Sequence, residues 1–206
     1  MSRRYTARER ITAPLQEAVI SLDKLGIEPV PRGALAYADL YRAAKRVRDS
    51  KKQVVGLLPA NPTLSIAEAT IQLGLALGDA CQEPVAVIDA NTKTPAFASC
   101  LPGAVAATGF VLVWLRERLA LVTPAGARKS GVDFASLETI LARDRARFRH
   151  LLVLLGGFEE LGEHLGAAEL CDGVVILARA GVSDEDELLA RRDEVGSRLL
   201  GVLLLR

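Results

Sequence analysis

The stretch from residue 53 to residue 68, QVVGLLPANPTLSIAE, carries the pattern that could bind an anion. Residues 54–58 are apolar and predict a buried strand, residues 59–65 are rich in turn formers, and an amphipathic helix begins directly afterwards. Nucleotide-binding proteins hold phosphate with a strand, a loop and a helix N-terminus, because free backbone N–H groups and the helix dipole face the anion. The stretch therefore predicts where a phosphate would bind.

The first residues of this helix also predict a competitor for the anion. Ser65 is followed three residues later by Glu68, which matches a capping box: the serine oxygen accepts the Glu68 N–H, and the glutamate carboxylate accepts the Ser65 N–H. The carboxylate would then lie at the positive end of the helix dipole, where phosphate would bind. We expect the cap to stabilise the helix by about 1 kcal/mol and to repel an incoming anion.

Other reactive residue types lack a catalytic or metal-binding arrangement. His150 and His164 have no cysteine or carboxylate spacing near them that indicates a metal site. Ser65 and Ser183 lack the Gly-x-Ser-x-Gly pattern of a nucleophile, so both are interpreted as helix caps, Ser183 together with Asp186. The three cysteines are widely spaced and are interpreted as buried thiols. We expect no metal and no catalytic residue.

The elements that would position the anion site alternate between strand and helix from residue 53 onwards. Predicted strands cover residues 54–58, 84–88, 119–122, 151–155, 174–178 and 199–205, and predicted helices cover 66–80, 134–148 and 184–195. Most strands are apolar without alternation, as in strands buried on both faces. The pattern predicts an α/β fold of three layers, with a mostly parallel sheet between helices. Residues 110–118 could form a strand leading into a turn, and residues 156–170 a short helix.

The N-terminal region differs from the rest of the chain in charge. Residues 1–52 contain twelve Lys or Arg against six Asp or Glu, a net charge of +6, while residues 53–206 carry −5. Apolar residues at helical spacing predict a helix over residues 13–25 with Gly26 as its C-cap, then a linker, and a second helix over 34–47. We expect a basic helical appendage and linker over residues 1–33 and one α/β domain over residues 34–206.

Composition limits the classes of function. The chain of 206 residues is 50% hydrophobic, enough to fill a core, and contains no apolar run of about 20 residues. The N-terminal sequence lacks the apolar segment of a secretory signal, so we expect a cytoplasmic protein. Its basic segment could face an anionic membrane, an acidic partner or water. With few aromatic residues in that segment, we expect no nucleic-acid binding.

Four blocks, in order, resemble the ATPase domain of bacterial tyrosine kinases that regulate exopolysaccharide synthesis and export. These enzymes are relatives of the cell-division and plasmid-partition ATPases with a deviant Walker A motif. The blocks are LLPANPTLSIAEATIQLGLALG, VAVIDANTKTPAF, LALVTPAG, and CDGVVILARAG followed by a helix and RLLGVLLLR. The resemblance covers residues 35–206 and implies a P-loop NTPase-like fold. It also implies an oligomerisation motif on the helix before the first strand, matched here by Asp39, Arg42 and Lys45.

The Walker A positions depart from the family pattern. When the chain is aligned through Asn61 and Pro62, the lysine that reaches the β- and γ-phosphates falls on Ile66, and the hydroxyl that binds Mg²⁺ falls on Ala67. The glycines that allow the backbone to approach phosphate fall on Thr63 and Ser65. Phosphoryl transfer depends on a positioned cation and metal, so these replacements remove most of the catalytic means.

The two acidic motifs are also incomplete. Asp89 retains the first carboxylate of the second motif, but Asn91 stands where the family has its other carboxylate. Leu155 occupies the Walker B position of the aspartate that orients Mg²⁺ and water. The family also needs a tyrosine cluster in a C-terminal tail, whereas the tyrosines here are Tyr5, Tyr37 and Tyr41, so we expect no autophosphorylation at a tail.

The resemblance and its departures together predict a non-catalytic pseudo-ATPase. It would act without a cofactor as a scaffold or regulator in exopolysaccharide synthesis or export, as a homo- or hetero-oligomer, at most peripherally at the inner membrane. Its partner would be an inner-membrane polysaccharide copolymerase or an active kinase homologue. One alternative is an active ATPase in which Asp89 holds the metal of Mg-ATP and Lys93, beside Thr94, supplies positive charge. Another is a positioning protein of the cell-division or partition kind.

Overall fold

A single sheet organises the protein. The computed structural model describes residues 17–97, 109–125, 132–157 and 162–205. The strands in these ranges are β1 (Glu17–Val19), β2 (Val54–Pro59), β3 (Val85–Asp89), β4 (Phe110–Arg116), β5 (Leu119–Pro124), β6 (His150–Leu154), β7 (Gly173–Arg179) and β8 (Leu199–Leu205). The helices are α1 (Leu35–Asp49), α2 (Ala67–Cys81), α3 (Phe134–Asp144), α4 (Glu163–Glu169) and α5 (Glu185–Val195).

The strands form one mostly parallel sheet in the order β1-β4-β5-β3-β6-β2-β7-β8. Neighbouring strands are parallel, except that β4 and β5 form an antiparallel hairpin. Helices α1 and α2 bury their apolar residues on one face of the sheet. Helices α3 and α4 and the end of α5 bury theirs on the other face. The predicted three-layer α/β fold is therefore confirmed, and no helix among the described residues is long and apolar enough to cross a membrane.

The predicted helix over residues 13–25 is wrong where the structure describes it. Glu17–Val19 is a strand that pairs in parallel with β4, and Leu22–Leu25 is a single 3-10 turn that ends at Gly26 with φ 68°. Helical spacing of apolar residues did not decide the outcome, because pairing with a strand distant in sequence outweighs weak local propensity. Leu22 and Ile27 are buried in the same core as α1 and α2. Residues 13–16 lie outside the described ranges.

The structure defines the secondary structure of two segments that the sequence pattern left undecided. The segment at 110–118 is the strand β4, which turns back at Glu117 and Arg118 into β5. The segment at 156–170 contains the short helix α4. Helix α3 ends at Asp144, four residues earlier than predicted, because Phe148 leaves the helical path and is buried in the core.

The cap of the last helix lies one residue later than predicted. Asp184 is the N-cap of α5, and its carboxylate accepts the Asp186 N–H at 2.8 Å, while Glu187 completes the capping box. The predicted cap by Ser183 with Asp186 is wrong, because the Ser183 hydroxyl instead accepts the Arg179 N–H at 3.0 Å. The hydroxyl thus closes the turn between β7 and α5.

Candidate functional site

The loop after β2 enters α2 without the predicted capping box. Ile66 is the N-cap residue, with φ −112° and ψ 1°, and no side chain caps the helix. Ser65 and Glu68 are both exposed. The prediction failed because the helix starts one residue later, at Ala67, so that the side chain of Ile66 turns into the core and that of Ser65 turns to water. No carboxylate therefore closes this helix N-terminus.

Ile66 seals the start of α2 by apolar packing instead. Its side chain is only 3% exposed and belongs to the core beneath α1 and α2. Gly156 lies against it, since a Cβ on that glycine would be 3.6 Å from Cγ1 of Ile66. The Thr70 hydroxyl donates to the Ile66 carbonyl oxygen at 2.8 Å, one turn into the helix. The position aligned with the phosphate-binding lysine is thus part of the core.

Asn61 ties the same loop to a distant helix. Its Nδ2 donates to Oε2 of Glu187 on α5 at 3.1 Å, and its Oδ1 accepts the Thr63 hydroxyl at 3.0 Å. Pro62 and Thr63 are exposed at the tip of the loop. No sequence pattern indicates this link, because Asn61 and Glu187 are 126 residues apart along the chain.

The carboxylate of Asp89, at the end of β3, is buried and surrounded by donors. Oδ1 accepts the Asn91 N–H at 3.1 Å, and Oδ2 accepts the Ala96 N–H at 2.7 Å and the Thr123 hydroxyl at 3.3 Å. The nearby backbone N–H of Phe97 also stabilises the ionised form of this carboxylate. Burial raises the pKa of Asp89 to about 6, although these hydrogen bonds act in the opposite direction. The carboxylate therefore holds residues 91–97, the described part of the loop after β3, in place.

Asn91 continues this polar network towards the end of β6. Its Oδ1 accepts the backbone N–H groups of Lys93 and Thr94, and its Nδ2 donates to the Thr94 hydroxyl at 3.0 Å and the Gly156 carbonyl at 3.4 Å. Gly157 has φ 82°, and a Cβ there would collide with the Asn91 amide. The amide that replaces the second carboxylate is thus a structural bridge between two loops.

The side chain of Leu155, the residue aligned with the Walker B aspartate, does not face the loops after β2 and β3. Its side chain is fully buried in the core on the α3 and α4 face of the sheet, where Cδ1 lies against Gly56. The neighbouring Leu154 instead faces the α2 side and the loops. Leu155, the residue aligned with the Walker B aspartate, is therefore adjacent to Leu154, whose side chain reaches the site.

An open cleft of about 240 Å³ lies between the loops that follow β2 and β3. Its lining comprises Pro62, Thr63, Leu64, Ser65, Ile66, Ala67, Asp89, Asn91, Thr94, Ala96, Leu154, Gly156 and Gly157. The cleft is smaller than the roughly 300–1,000 Å³ of ordinary ligand sites. Among the lining residues that the structure describes there is no lysine or arginine, and Asp89 is the single acid. No group of three or more His, Cys, Asp or Glu side chains able to hold a metal occurs among the described residues.

The predicted interaction residues lie elsewhere, on α1. Arg42 pairs with Asp39 at 2.5 Å, one turn apart on the helix surface. Both residues and Lys45 line a groove of about 410 Å³ between α1 and the edge strand β8. The structure therefore brings the aligned Walker A residues and Asp89 together, but places the α1 residues on a separate surface.

Comparison with known proteins identifies the fold. No protein-family model and no curated protein sequence matches the chain. The kinase domain of VpsO superposes with a TM-score of 0.67 at 17% identity, covering 90% of this chain and 96% of that one. The tyrosine kinase domain of BceF gives 0.62 at 16% identity, covering 93% and 92%. The kinase domain of the Escherichia coli tyrosine kinase ETK gives 0.55 at 13%, covering 98% and 94%. The chain thus has the P-loop NTPase-like fold of the bacterial tyrosine kinase domains.

Proposed function

We propose that the chain is a non-catalytic pseudo-ATPase that acts as a scaffold or regulator in exopolysaccharide synthesis or export. The single observation that carries this proposal is the burial of Ile66 at the position aligned with the phosphate-binding lysine. The similarity to bacterial tyrosine kinase domains supports a role in exopolysaccharide synthesis or export. A fold can persist while the groups for phosphoryl transfer are replaced, so this similarity is compatible with a non-catalytic role.

The charge and the size of the cleft both argue against nucleotide binding. Three or four phosphate charges of a nucleotide need cationic side chains, a metal or free helix N–H groups. None of the described residues that line the cleft is cationic, and although no side chain caps the N-terminus of α2, the apolar side chain of Ile66 lies at the start of that helix. We therefore expect no cofactor to bind, neither ATP nor Mg²⁺.

The hydrogen bonds to Asp89 argue against the alternative of an unorthodox active ATPase. An ionised carboxylate offers about four lone-pair sites, and three of them are used by protein donors, one on Oδ1 and two on Oδ2. A magnesium ion held by both oxygens of Asp89 would compete with these donors, which hold the described part of the loop after β3. Lys93 is exposed and is not among the described residues that line the cleft.

The proposed partner is an inner-membrane polysaccharide copolymerase or an active kinase homologue, which the protein would meet from the cytoplasm. A role as a positioning protein of the partition kind shares the same fold and would also require partner binding without nucleotide. Binding of a purified copolymerase cytoplasmic segment, measured by calorimetry, distinguishes the two roles.

Nucleotide titration tests the loss of function directly. Isothermal titration with ATP and Mg²⁺ should show no binding tighter than millimolar, with an active tyrosine kinase domain as the positive control. ATP hydrolysis should stay at background for the wild type and for Asp89→Asn alike. A micromolar dissociation constant, or turnover that Asp89→Asn abolishes, would overturn the proposal in favour of the active ATPase.

A further inference from the structure

A second open cavity, of about 530 Å³, lies beside the C-terminal half of α2. It is lined by that helix, by the turn between β4 and β5, and by residues 29–32 together with Tyr37 of α1. Its volume falls within the roughly 300–1,000 Å³ of ordinary ligand sites, whereas the volume of the cleft between the β2 and β3 loops does not. The described linings of the cavity and of the cleft have no residue in common.

The sides of this cavity are held in place by α2. Gln72 is 6% exposed, and its Oε1 accepts the Val30 N–H at 3.1 Å while its Nε2 donates to the Glu28 carbonyl oxygen at 2.7 Å. On the other side, the β4–β5 turn packs on the helix, since a Cβ on Gly78 would be 3.4 Å from the Cβ and the carbonyl oxygen of Arg118. The cavity therefore has its shape before any ligand binds.

The acid on the α2 side of the cavity already has a cationic partner. Arg32 donates to both carboxylate oxygens of Asp79, at 3.0 and 2.9 Å, and the Tyr37 hydroxyl donates to Oδ2 at 2.9 Å. A carboxylate bound by both nitrogen–oxygen contacts of one guanidinium has its charge balanced within the protein. Asp79 thus helps to fix the cavity and contributes little net negative charge to it.

The β4–β5 turn places two further arginines at the same cavity. Arg116 is exposed, Arg118 is half-buried, and both line the cavity. Within the part of the chain that the structure describes, neither guanidinium has a hydrogen-bond or ion-pair partner. Glu117, between them in sequence, is exposed and also lines the cavity, so the turn contributes two positive charges and one negative charge. Guanidinium groups bind phosphate oxygens in preference to remaining in water when a site positions them together.

We propose that this cavity binds a small organic phosphate. Its phosphate group would accept hydrogen bonds from Arg116 and Arg118, and its organic part would lie against the apolar lining formed by Val30 and Leu75. A phosphate monoester carries close to two negative charges at neutral pH and offers three acceptor oxygens, which match two guanidinium groups better than the single charge of a carboxylate. The site does not depend on the proposed loss of nucleotide binding, because no described residue lines both the cavity and the cleft.

Titration of the full chain with phenyl phosphate, followed by amide NMR, tests the site. The wild type should show saturable shifts in α2 and the β4–β5 turn, with a dissociation constant of a few millimolar or tighter, as expected for a ligand of this size. Arg116→Gln/Arg118→Gln should weaken binding at least about tenfold, because it removes both charged donors. Arg46→Gln/Arg198→Gln is the matched control, since it removes the same charge from exposed arginines that do not line the cavity and should change the constant less than about twofold. Glu117→Gln should tighten binding by about twofold to fivefold.

A second probe and a pH series identify the charged group. Benzoate presents a similar ring with one negative charge and should bind at least about fivefold more weakly. Phenyl phosphate should bind more tightly at pH 7.5 than at pH 5, because its second proton leaves near pH 6 while the arginines stay charged.

The proposal is overturned by a titration that does not saturate, or by shifts confined to the residues that line the cleft. It is also overturned if Arg116→Gln/Arg118→Gln binds like the wild type, or if the control variant weakens binding equally. Benzoate that binds as tightly as phenyl phosphate would replace the phosphate by a carboxylate and would equally overturn it. Thermal unfolding of each variant establishes that it is folded.

Discussion

The loops after β2 and β3 face the same cleft but have opposite chemistry. The loop after β2 ends in Ile66, whose apolar side chain is packed into the core. The loop after β3 is organised around the buried carboxylate of Asp89 and the amide of Asn91. The start of α2 is thus closed by apolar packing, whereas the loop after β3 is held by internal hydrogen bonds to a carboxylate and from an amide. A buried acid beside a cleft can therefore serve to hold a loop in place.

The largest expected effect is on the β3 loop. Asp89→Ala should lower the free energy of unfolding by about 4 kcal/mol, because it leaves several buried N–H and O–H donors without an acceptor. Urea denaturation measures the change, with Asp193→Ala on the surface of α5 as a control that should stay within about 0.5 kcal/mol of the wild type. A loss below about 1 kcal/mol would mean that Asp89 does not organise the loop.

The pH dependence of stability separates the two loops further. Because the pKa of Asp89 is raised to about 6 in the folded protein, the folded state binds more protons than the unfolded state between the ordinary value of 3.8 and 6. The contribution of protonated Asp89 is therefore fully present below pH 3.8 and is lost as pH rises through 6, by about 3 kcal/mol. Denaturation across this range should show that slope in the wild type and not in Asp89→Asn. An equal slope in both proteins would assign it to other groups.

The β2 loop should respond to loss of apolar volume. Ile66→Ala is expected to cost about 2–3 kcal/mol of unfolding free energy, the usual loss for a truncated core isoleucine. Leu35→Ala, at a residue that is 74% exposed, should cost less than about 0.5 kcal/mol. Chemical denaturation compares the two. If both substitutions were equally mild, Ile66 would not be part of the core, and the contrast between the loops would fail.

The smallest expected effect concerns the bond from the β2 loop to α5. A double-mutant cycle of Asn61→Ala and Glu187→Ala should give a coupling energy of about 1 kcal/mol, typical of one hydrogen bond between partly buried side chains. Thermal or urea unfolding of the four proteins provides it. Additive losses would show that Asn61 and Glu187 stabilise the protein independently, and that the loop is not anchored to the helix.

The sequence predicted the sheet better than the site because the two depend on different information. Runs such as residues 54–58 and 174–178 are apolar enough to be strands in any parallel sheet, and both are confirmed in β2 and β7. The strand β1 was not predicted, because its three residues pair with residues of β4 that lie 95 positions further along the chain, and such pairing leaves no local pattern.

The errors at the site come from the direction of side chains. Ser65 and Glu68 have the spacing of a capping box, but the burial of Ile66 decides where α2 begins. Leu154 and Leu155 are adjacent, and only the pleat of β6 determines which one faces the cleft. The donors to Asp89 include Thr123 from another strand, a contact that no spacing in the sequence specifies.

The burial of Ile66 also limits what a single substitution at this position could achieve. A substitution to lysine at this position removes an apolar side chain from the core at once, while Ala67, Asn91 and Leu154 still offer a phosphate or metal nothing. A lysine at this position would therefore cost stability before any other residue of the cleft was changed, so a single substitution here should not create a phosphate site.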